Sequence, residues 1–276
     1  MHSENIMNLK NIKFGFIGAG NMSTAIIKGM LASKAVSAKS VFVSDVKRNN
    51  SLNLSKHLGI KSKLNNVDLI KEVDVIVIAV KPQDIKAVLE EMCSSVKSSQ
   101  IVISIAAGVS MKILHRYLKN AHVVRVMPNL GCFVNESATA LSFAKGETKK
   151  VKDMSKALFN LIGIVTDVTE KQMDIVTALS GSGPAYIAFL SQMLVCSAHR
   201  AGLDKAKAKK MFNHTLLASS LFLDQNILDA ENLMKQVTSK GGTTEAALSV
   251  FKRKKMDKIL DSALKAAIKR AKELSK

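Results

Sequence analysis

The chain has 276 residues, 47% of them hydrophobic, so it can bury a sizeable core in one large or two modest domains, and general disorder is excluded. Lys and Arg outnumber Asp and Glu by 41 to 22, a formal charge of +19, but only 4% of the residues are aromatic and the lysines are spread along the chain. We therefore expect neither a nucleic-acid nor a membrane partner, only some attraction for anionic ligands.

The sequence gives no sign of a membrane, secreted or metal-binding protein. No apolar run is long enough to span a bilayer, and the first ten residues do not resemble a secretory signal. Cys93, Cys132 and Cys196 are widely spaced and form no CxxC motif, which is typical of reduced thiols in a cytoplasmic protein. The six histidines show no paired ligand spacing, so we expect no metal site.

A strand, a glycine turn and a helix open the folded chain between residues 13 and 31. Phe14, Phe16 and Ile17 form a short apolar run, Gly18-Ala19-Gly20 interrupts it, and helical spacing resumes from Asn21. The N–H groups at such a helix start bind phosphate, and glycine lets a pyrophosphate approach the backbone. Ser23 stands at the third position of the dinucleotide fingerprint, so a tight turn without a ligand stays open as the alternative.

The next predicted strand, residues 40–44, ends at an acidic residue. Asp45 lies at the distance from the glycines at which a carboxylate commonly binds the adenosine ribose of NAD. Ser44, Lys47 and Arg48 would instead suit the 2′-phosphate of NADP. A simple turn residue is the third possibility, and the sequence leaves the preference between NADPH and NADH open.

Continuous apolar runs predict the remaining strands, at 74–80, 101–108 and 123–127, with later ones at 139–143 and 163–167 and a helix over 148–161 between those two. This alternation indicates an α/β, Rossmann-type doubly wound parallel sheet. Ligands of such sheets bind beyond the strand carboxyl ends. The segments leaving those ends are 18–22, 79–82, 106–108 and 127–130.

Beyond Glu170 the pattern is helical throughout, with an apolar helix over 185–198 that we expect in a subunit interface and an amphipathic helix over 252–276. We expect an extension over 1–12, a dinucleotide-binding domain over 13–169 and an all-α dimerisation and substrate domain over 170–276. Within the helical half, VTSKGGTT at 237–244 predicts a second anion-binding site, in addition to the glycine turn, made of backbone N–H groups and hydroxyls. Its alternative is an ordinary helix cap.

Several motifs together resemble the Δ1-pyrroline-5-carboxylate reductase family, from about residue 14 to the end of the chain. They are GFIGAGNM at 15–22, AVKPQ at 79–83, SIAAGVS at 104–110, RVMPN at 125–129, LSGSGPAY at 179–186, and VTSKGGTT. The resemblance implies reduction of 1-pyrroline-5-carboxylate to L-proline with NADPH, NADH being possible, by a homodimer that can associate further into a decamer.

The resemblance also implies the site residues. The cofactor would contact Gly18, Ala19, Gly20, Asn21, Met22, Ser44, Ala79, Val80, Lys81, Pro82, Ala106, Ala107 and Gly108. The substrate would contact Glu170, Ser239, Gly242, Thr243 and Thr244. We expect the N–H groups of the last three to hold the substrate carboxylate, and the Thr244 hydroxyl, as the catalytic group, to contact the ring nitrogen.

Four residues depart from the family pattern. Leu130 and Gly131 replace the Thr-Pro of MPNTP, Lys240 replaces the proline of VTSPGGTT, and Glu245 replaces an apolar residue. Two rival functions fit the sequence less well than the reductase. A 3-hydroxyacid-type dehydrogenase needs a lysine acid/base in its second domain, and the apolar helix over 185–198 contains no lysine; a nucleotide-sensing protein has no need of the hydroxyl cluster at 238–244.

Overall fold

In a computed structural model of the chain, the described residues are 9–225 and 227–274, so most of the expected N-terminal extension and the last two residues of the expected C-terminal helix lie outside them. The chain forms two compact units. The first runs to Ser182 and takes up the chain again from Ala267, and the second is Gly183–Ala266. This first unit extends past residue 169, since hydrogen bonds of Ser180 tie the segment after the last strand to the sheet, and the expected domain boundary stays a prediction.

The first unit contains an eight-stranded sheet in the order β3-β2-β1-β4-β5-β6-β7-β8. The strands are β1 Phe14–Ile17, β2 Val41–Ser44, β3 Lys61–Ser62, β4 Val75–Ile78, β5 Ile101–Ser104, β6 His122–Met127, β7 Ser137–Phe143 and β8 Gly163–Asp167. Strands β1 to β6 are parallel, as expected, whereas β7 runs antiparallel to β6 and parallel to β8. The sheet is therefore parallel in its nucleotide-binding part and mixed at one edge.

Helices cover both faces of this sheet. They are α1 Asn21–Ala32, α2 Arg48–Leu58, α3 Asn66–Ile70, α4 Ile85–Met92, α5 Met111–Tyr117, α6 Lys149–Asn160 and α7 Met173–Val176, the last continuing into a π-helix over Thr177–Gly181. Because strand side chains alternate, Val75 and Val77 of β4 join one apolar cluster and Ile76 and Ile78 join the other. Burial on both faces explains why the strands read as continuous apolar runs.

The second unit is helical, and its described residues contain no strand, as expected. It comprises α8 Gly183–Arg200, α9 Lys205–Asp224, α10 Ala230–Gln236, α11 Thr243–Arg253 and the beginning of α12 Met256–Leu274, whose residues from Ala267 onward belong to the first unit. None of the described helices is long and apolar enough to cross a membrane. Among its described residues only Val195 and Ala208 are buried within the chain.

Candidate active site

The glycine turn after β1 has the geometry that a dinucleotide needs. Gly18 adopts a left-handed φ of +102°, and a Cβ atom on it would lie 2.8 Å from the Ala79 carbonyl oxygen. Only glycine fits this conformation and this close approach to the end of β4. The buried Ser23 hydroxyl donates to the Gly18 carbonyl at 2.6 Å, so serine at the third fingerprint position supports the turn.

The start of α1 presents free backbone donors. Gly20 caps the helix without a side-chain hydrogen bond, and the space where its Cβ would stand is open. Among the described residues no group accepts from the N–H of Gly20, Asn21 or Met22, and the first helical bond runs from Thr24 N–H to the Gly20 carbonyl. These donors and the positive end of the helix dipole fit a pyrophosphate.

Asp45 supports the glycine turn through both carboxylate oxygens. Its Oδ2 accepts from Ala19 N–H and its Oδ1 from Lys47 N–H, each at 2.8 Å. Neighbouring Ser44, expected to contact the cofactor, is buried, and its hydroxyl donates to Asn66 Oδ1 at 2.8 Å. Ser44 therefore supports the strand end from inside, whereas Lys47 and Arg48 are exposed at the start of α2.

The other expected cofactor segments follow β4, which pairs with β1, and β5, which pairs with β4. Ala79 and Val80 are half-buried, and Lys81 and Pro82 are exposed beyond them. After β5, Ala107 is half-buried, whereas Ala106 and Gly108 are buried. Gly108 has no open space beside it, because its Cβ would lie 2.8 Å from the Leu274 carbonyl oxygen. Along this edge the accessible backbone therefore lies at 19–22, 79–82 and 107.

Two family motifs meet in a hydrogen-bonded cluster that sequence reasoning did not predict. The Asn129 amide nitrogen donates to the carbonyl and the hydroxyl of Ser180, at 3.3 and 3.1 Å, and the Ser180 hydroxyl donates to the Ala138 carbonyl. In the π-helix, a Cβ on Gly181 would collide with the Met127 side chain. The RVMPN segment and the start of LSGSGPAY are thus joined on the sheet, and π-turns of this kind are common at functional sites.

The departure at Gly131 also has a structural explanation. Gly131 N–H donates to Asn129 Oδ1 at 2.9 Å, and the Gly131 carbonyl accepts from Glu136 N–H at 2.9 Å. A Cβ at this position would collide with the Glu136 carbonyl oxygen. Proline, usual here in the family, lacks the N–H and would carry the colliding carbon. The short 3₁₀ turn Leu130–Val134 of this chain is therefore built around glycine.

Glu170, an expected substrate contact, is engaged within the first unit. Its Oε1 accepts from Arg125 Nη1 at 2.8 Å and from Met111 N–H at 2.9 Å, and Asp174 Oδ1 lies 3.7 Å from Arg125 Nη2. The Arg125 side chain is only 5% exposed, so these carboxylates offset a buried charge. Glu170 Oε2 is enclosed and has no partner among the described residues. Glu170 is thus a charge partner for Arg125, its side chain remains 37% exposed, and its contact with the substrate stays a prediction.

The expected substrate loop joins α10 to α11 in the second unit. Three of its groups already have partners on the loop or the flanking helices: the Thr238 hydroxyl donates to the Met234 carbonyl in α10, Gly242 N–H donates to the Ser239 carbonyl in the loop, and Gly241 N–H donates to Glu245 Oε2 in α11. Since the Gly242 N–H already donates to the Ser239 carbonyl at 3.0 Å, its expected bond to the substrate carboxylate stays a prediction.

The first turn of α11 keeps the donors that remain. No group among the described residues accepts from the N–H or the hydroxyl of Thr243 or Thr244, and Gly242 caps the helix without a side-chain bond. Thr243 is exposed and Thr244 half-buried. This arrangement can bind a carboxylate with backbone donors and places a hydroxyl beside it. The described residues contain no cluster of side chains that could hold a metal ion.

Two family profiles match parts of the chain, and curated relatives match nearly all of it. Residues 170–274 match "Pyrroline-5-carboxylate reductase dimerisation", and residues 13–108 match "NADP oxidoreductase coenzyme F420-dependent". Pyrroline-5-carboxylate reductase 1 of Bacillus subtilis is 34% identical over 267 residues, covering 95% of this chain and 89% of the relative. The Arabidopsis thaliana pyrroline-5-carboxylate reductase is 32% identical, with 96% of each chain covered.

Solved structures extend this match to the whole fold. The Coxiella burnetii pyrroline-5-carboxylate reductase superposes with a TM-score of 0.90 at 32% identity, covering 97% of this chain and 100% of the other. The Plasmodium falciparum pyrroline carboxylate reductase, solved with NADP bound, gives a TM-score of 0.87 at 27% identity and covers 97% and 99%. Sequence, domain profiles and fold therefore converge, and the chain belongs to the pyrroline-5-carboxylate reductase family.

Proposed function

We propose that this enzyme holds its substrate with the first turn of α11, uses the Thr244 hydroxyl at the reacting nitrogen, and prefers NADPH as reductant. Its reaction is the NAD(P)H-dependent reduction of 1-pyrroline-5-carboxylate to L-proline, the last step of proline biosynthesis. The observation that carries the reaction is the 34% identity to a curated reductase over 95% of the chain. The assignment of the individual residues rests on the geometry of two sites, the cofactor seat at the start of α1 and the substrate seat at the first turn of α11.

The free N–H groups of Gly20, Asn21 and Met22 would bind the cofactor pyrophosphate, and the segments at 79–82 and 107 would line its path along the sheet edge. Bound NAD(P)H supplies the hydride. Preference for NADPH is supported by the end of β2. Both oxygens of Asp45 accept backbone N–H groups, so its carboxylate has a structural role in the turn, while Lys47 and Arg48 are exposed cations beside it that a 2′-phosphate would pair with.

Initial rates with NADPH and NADH test this preference. Replacing Arg48 with Ala should raise the KM for NADPH about tenfold and leave the KM for NADH unchanged, since a charge-assisted bond to the 2′-phosphate is lost. R116A, which removes an exposed arginine near the end of α5, is the matched control. Equal KM values for the two cofactors in the unmodified enzyme would contradict the preference.

At the substrate seat, the N–H groups of Thr243 and Thr244 would bind the carboxylate of the cyclic imine, with the Ser239 hydroxyl on the same loop. The Thr244 hydroxyl would contact the ring nitrogen and stabilise or relay the proton as the imine becomes an amine. Among the residues of the two seats, no histidine or carboxylate pair is needed for this chemistry, because only one proton must be held at one nitrogen.

The role of Thr244 predicts a separation of kinetic constants. T244A should lower kcat about 100-fold, a typical effect of losing a group that assists proton transfer, with little change in the KM for NADPH. T244S keeps the hydroxyl and should recover most of the loss. T166A, on the exposed edge strand β8, controls for loss of a threonine elsewhere. Full turnover in T244A would refute the catalytic role.

The second unit supports a homodimer, with further association into a decamer possible. Two buried residues cannot form the core of an 84-residue helical unit, and large apolar side chains stay exposed along it, among them Phe189, Met211 and Leu217. A second copy of the dimerisation domain would cover them. Sedimentation of the purified chain tests this, since a single 29.9 kDa species would contradict it. We also propose a cytoplasmic location without nucleic-acid or membrane partners, testable by cell fractionation.

A further inference from the structure

Glu245 forms a contact that neither the reaction nor the family pattern assigns. It stands at the third position of α11, and its carboxylate Oε2 accepts from Gly241 N–H at 2.6 Å. Gly241 lies just before the helix cap, in the left-handed region with φ +72°. A glutamate at this helical position often reaches back to the N–H of the cap residue, and here it reaches one residue further.

This contact connects the helix to the turn that leads into it. The Gly242 N–H is bonded to Ser239, inside the loop, and the Thr238 hydroxyl is bonded to α10. Of these three bonds, only the one to Glu245 joins the loop to α11. Together with the helical bond from Ala246 N–H to the Gly242 carbonyl, it holds the left-handed turn at Gly241 against the first turn of the helix, where the N–H groups of Thr243 and Thr244 are free.

The same loop lacks the stiffening that proline would give. Lys240 precedes the two glycines, so three successive residues, 240–242, have no ring to restrict the backbone. An exposed loop with two glycines samples many conformations. Restricting it to the one conformation that binds a ligand costs free energy and weakens binding. A side-chain bond across the glycines limits that sampling.

We propose that Glu245 is a positioning residue for substrate binding: its bond to Gly241 N–H holds the 239–242 turn in the conformation that directs the Thr243 and Thr244 donors to the substrate carboxylate. The proposal rests on the proposed substrate seat at these threonines. Glu245 also brings a negative charge to the seat, which by itself would repel the substrate carboxylate. The acceptor oxygen and the charge thus act in opposite directions.

Three variants separate the two effects. E245A removes both acceptor and charge and should raise the KM for pyrroline-5-carboxylate about fivefold, the usual net worth of one hydrogen bond, with kcat and the KM for NADPH unchanged. E245Q keeps an acceptor oxygen without the charge, so its KM should equal or fall below that of the unmodified enzyme. E231A, which removes an exposed carboxylate from α10, is the control for charge alone.

Amide hydrogen exchange of residues 236–246 measures the opening of the loop directly and does not depend on enzyme activity. Exchange at Gly241 should be several-fold faster in E245A and unchanged in E245Q. If E245A does not fold, E245D replaces it, because its carboxylate stops one methylene short and should give the same increase in KM and in exchange.

The proposal is overturned if E245A leaves or lowers the substrate KM, or if E245Q raises it as much as E245A does. It is equally overturned if loop exchange is the same in E245A and the unmodified enzyme. An unmodified enzyme that does not reduce pyrroline-5-carboxylate would refute the proposed function instead, and the exchange comparison would still test the contact.

Discussion

Introducing the family's usual proline at Gly131 should destabilise this enzyme. In G131P two things change at once, because the ring carries a Cβ and the nitrogen carries no hydrogen. The Cβ would collide with the Glu136 carbonyl oxygen and lie 2.8 Å from Asn129 Oδ1. The missing hydrogen ends the 2.9 Å bond from Gly131 N–H to the same Asn129 oxygen, which also helps to set the amide that binds Ser180.

The expected cost follows from these two changes. Loss of one part-buried hydrogen bond is worth about 1 kcal/mol, and forcing an extra carbon against backbone costs about 1–3 kcal/mol. Together they lower the free energy of unfolding by about 2–4 kcal/mol. For a chain of this size that corresponds to a fall in Tm of roughly 5–10 °C.

Thermal unfolding followed by circular dichroism, at one protein concentration for all variants, measures this fall. G131A is the matched variant, since it introduces the carbon but keeps the N–H. Its free energy of unfolding should exceed that of G131P by the contribution of the lost hydrogen bond, about 1 kcal/mol. A G131P protein with the Tm of the unmodified enzyme would refute the conclusion that this turn requires glycine.

Two further predictions concern the first unit. G18A should weaken NADPH binding at least tenfold in a fluorescence titration, because φ at Gly18 is +102° and Ala79 leaves no room for a Cβ atom. The control G59A is also strained but has open space around the new carbon, so it should leave the affinity unchanged. Equal affinities of G18A and the unmodified enzyme would contradict the role of the glycine turn in cofactor binding. Burial raises the pKa of the Cys132 thiol, so at pH 8 a smaller fraction is thiolate than for an ordinary cysteine. Iodoacetamide should therefore modify exposed Cys93 first and Cys132 only on unfolding, as mass spectrometry of the peptides would show.

Much of the fold could be predicted because its signals are local. The apolar runs of β1, β4 and β5 are continuous since both faces are buried, and the glycine turn follows its strand directly. Strand direction has no such signal, so the antiparallel pairing of β7 with β6 was not predicted. The two-residue β3 is too short for any periodicity, and it exists through its pairing with β2.

Site residues divide in the same way. The helix start at Asn21 was predicted from the preceding glycines, and the start of α11 was predicted at Thr244, one residue after the observed start at Thr243. Bonds between distant residues were not predicted. Arg125 and Glu170 are 45 positions apart, and Asn129 and Ser180 are 51 apart, so neither pairing follows from spacing. Ser44 and Gly242 had the expected location, but each uses its polar group internally, which only the fold determines.

The departures at Lys240 and Glu245 are therefore best understood together, and a double variant tests this. Among the described residues no group accepts from Lys240 N–H, and its φ is not positive, so proline can stand there without breaking a bond. In the E245A background, K240P should restore the substrate KM to within about twofold of the unmodified enzyme, because the ring limits the unbound loop as the Glu245 bond does. K240A in the same background removes the charge without adding a ring and should restore nothing. Equal recovery by K240A and K240P would show that charge at the loop, not its stiffness, determines how the substrate binds.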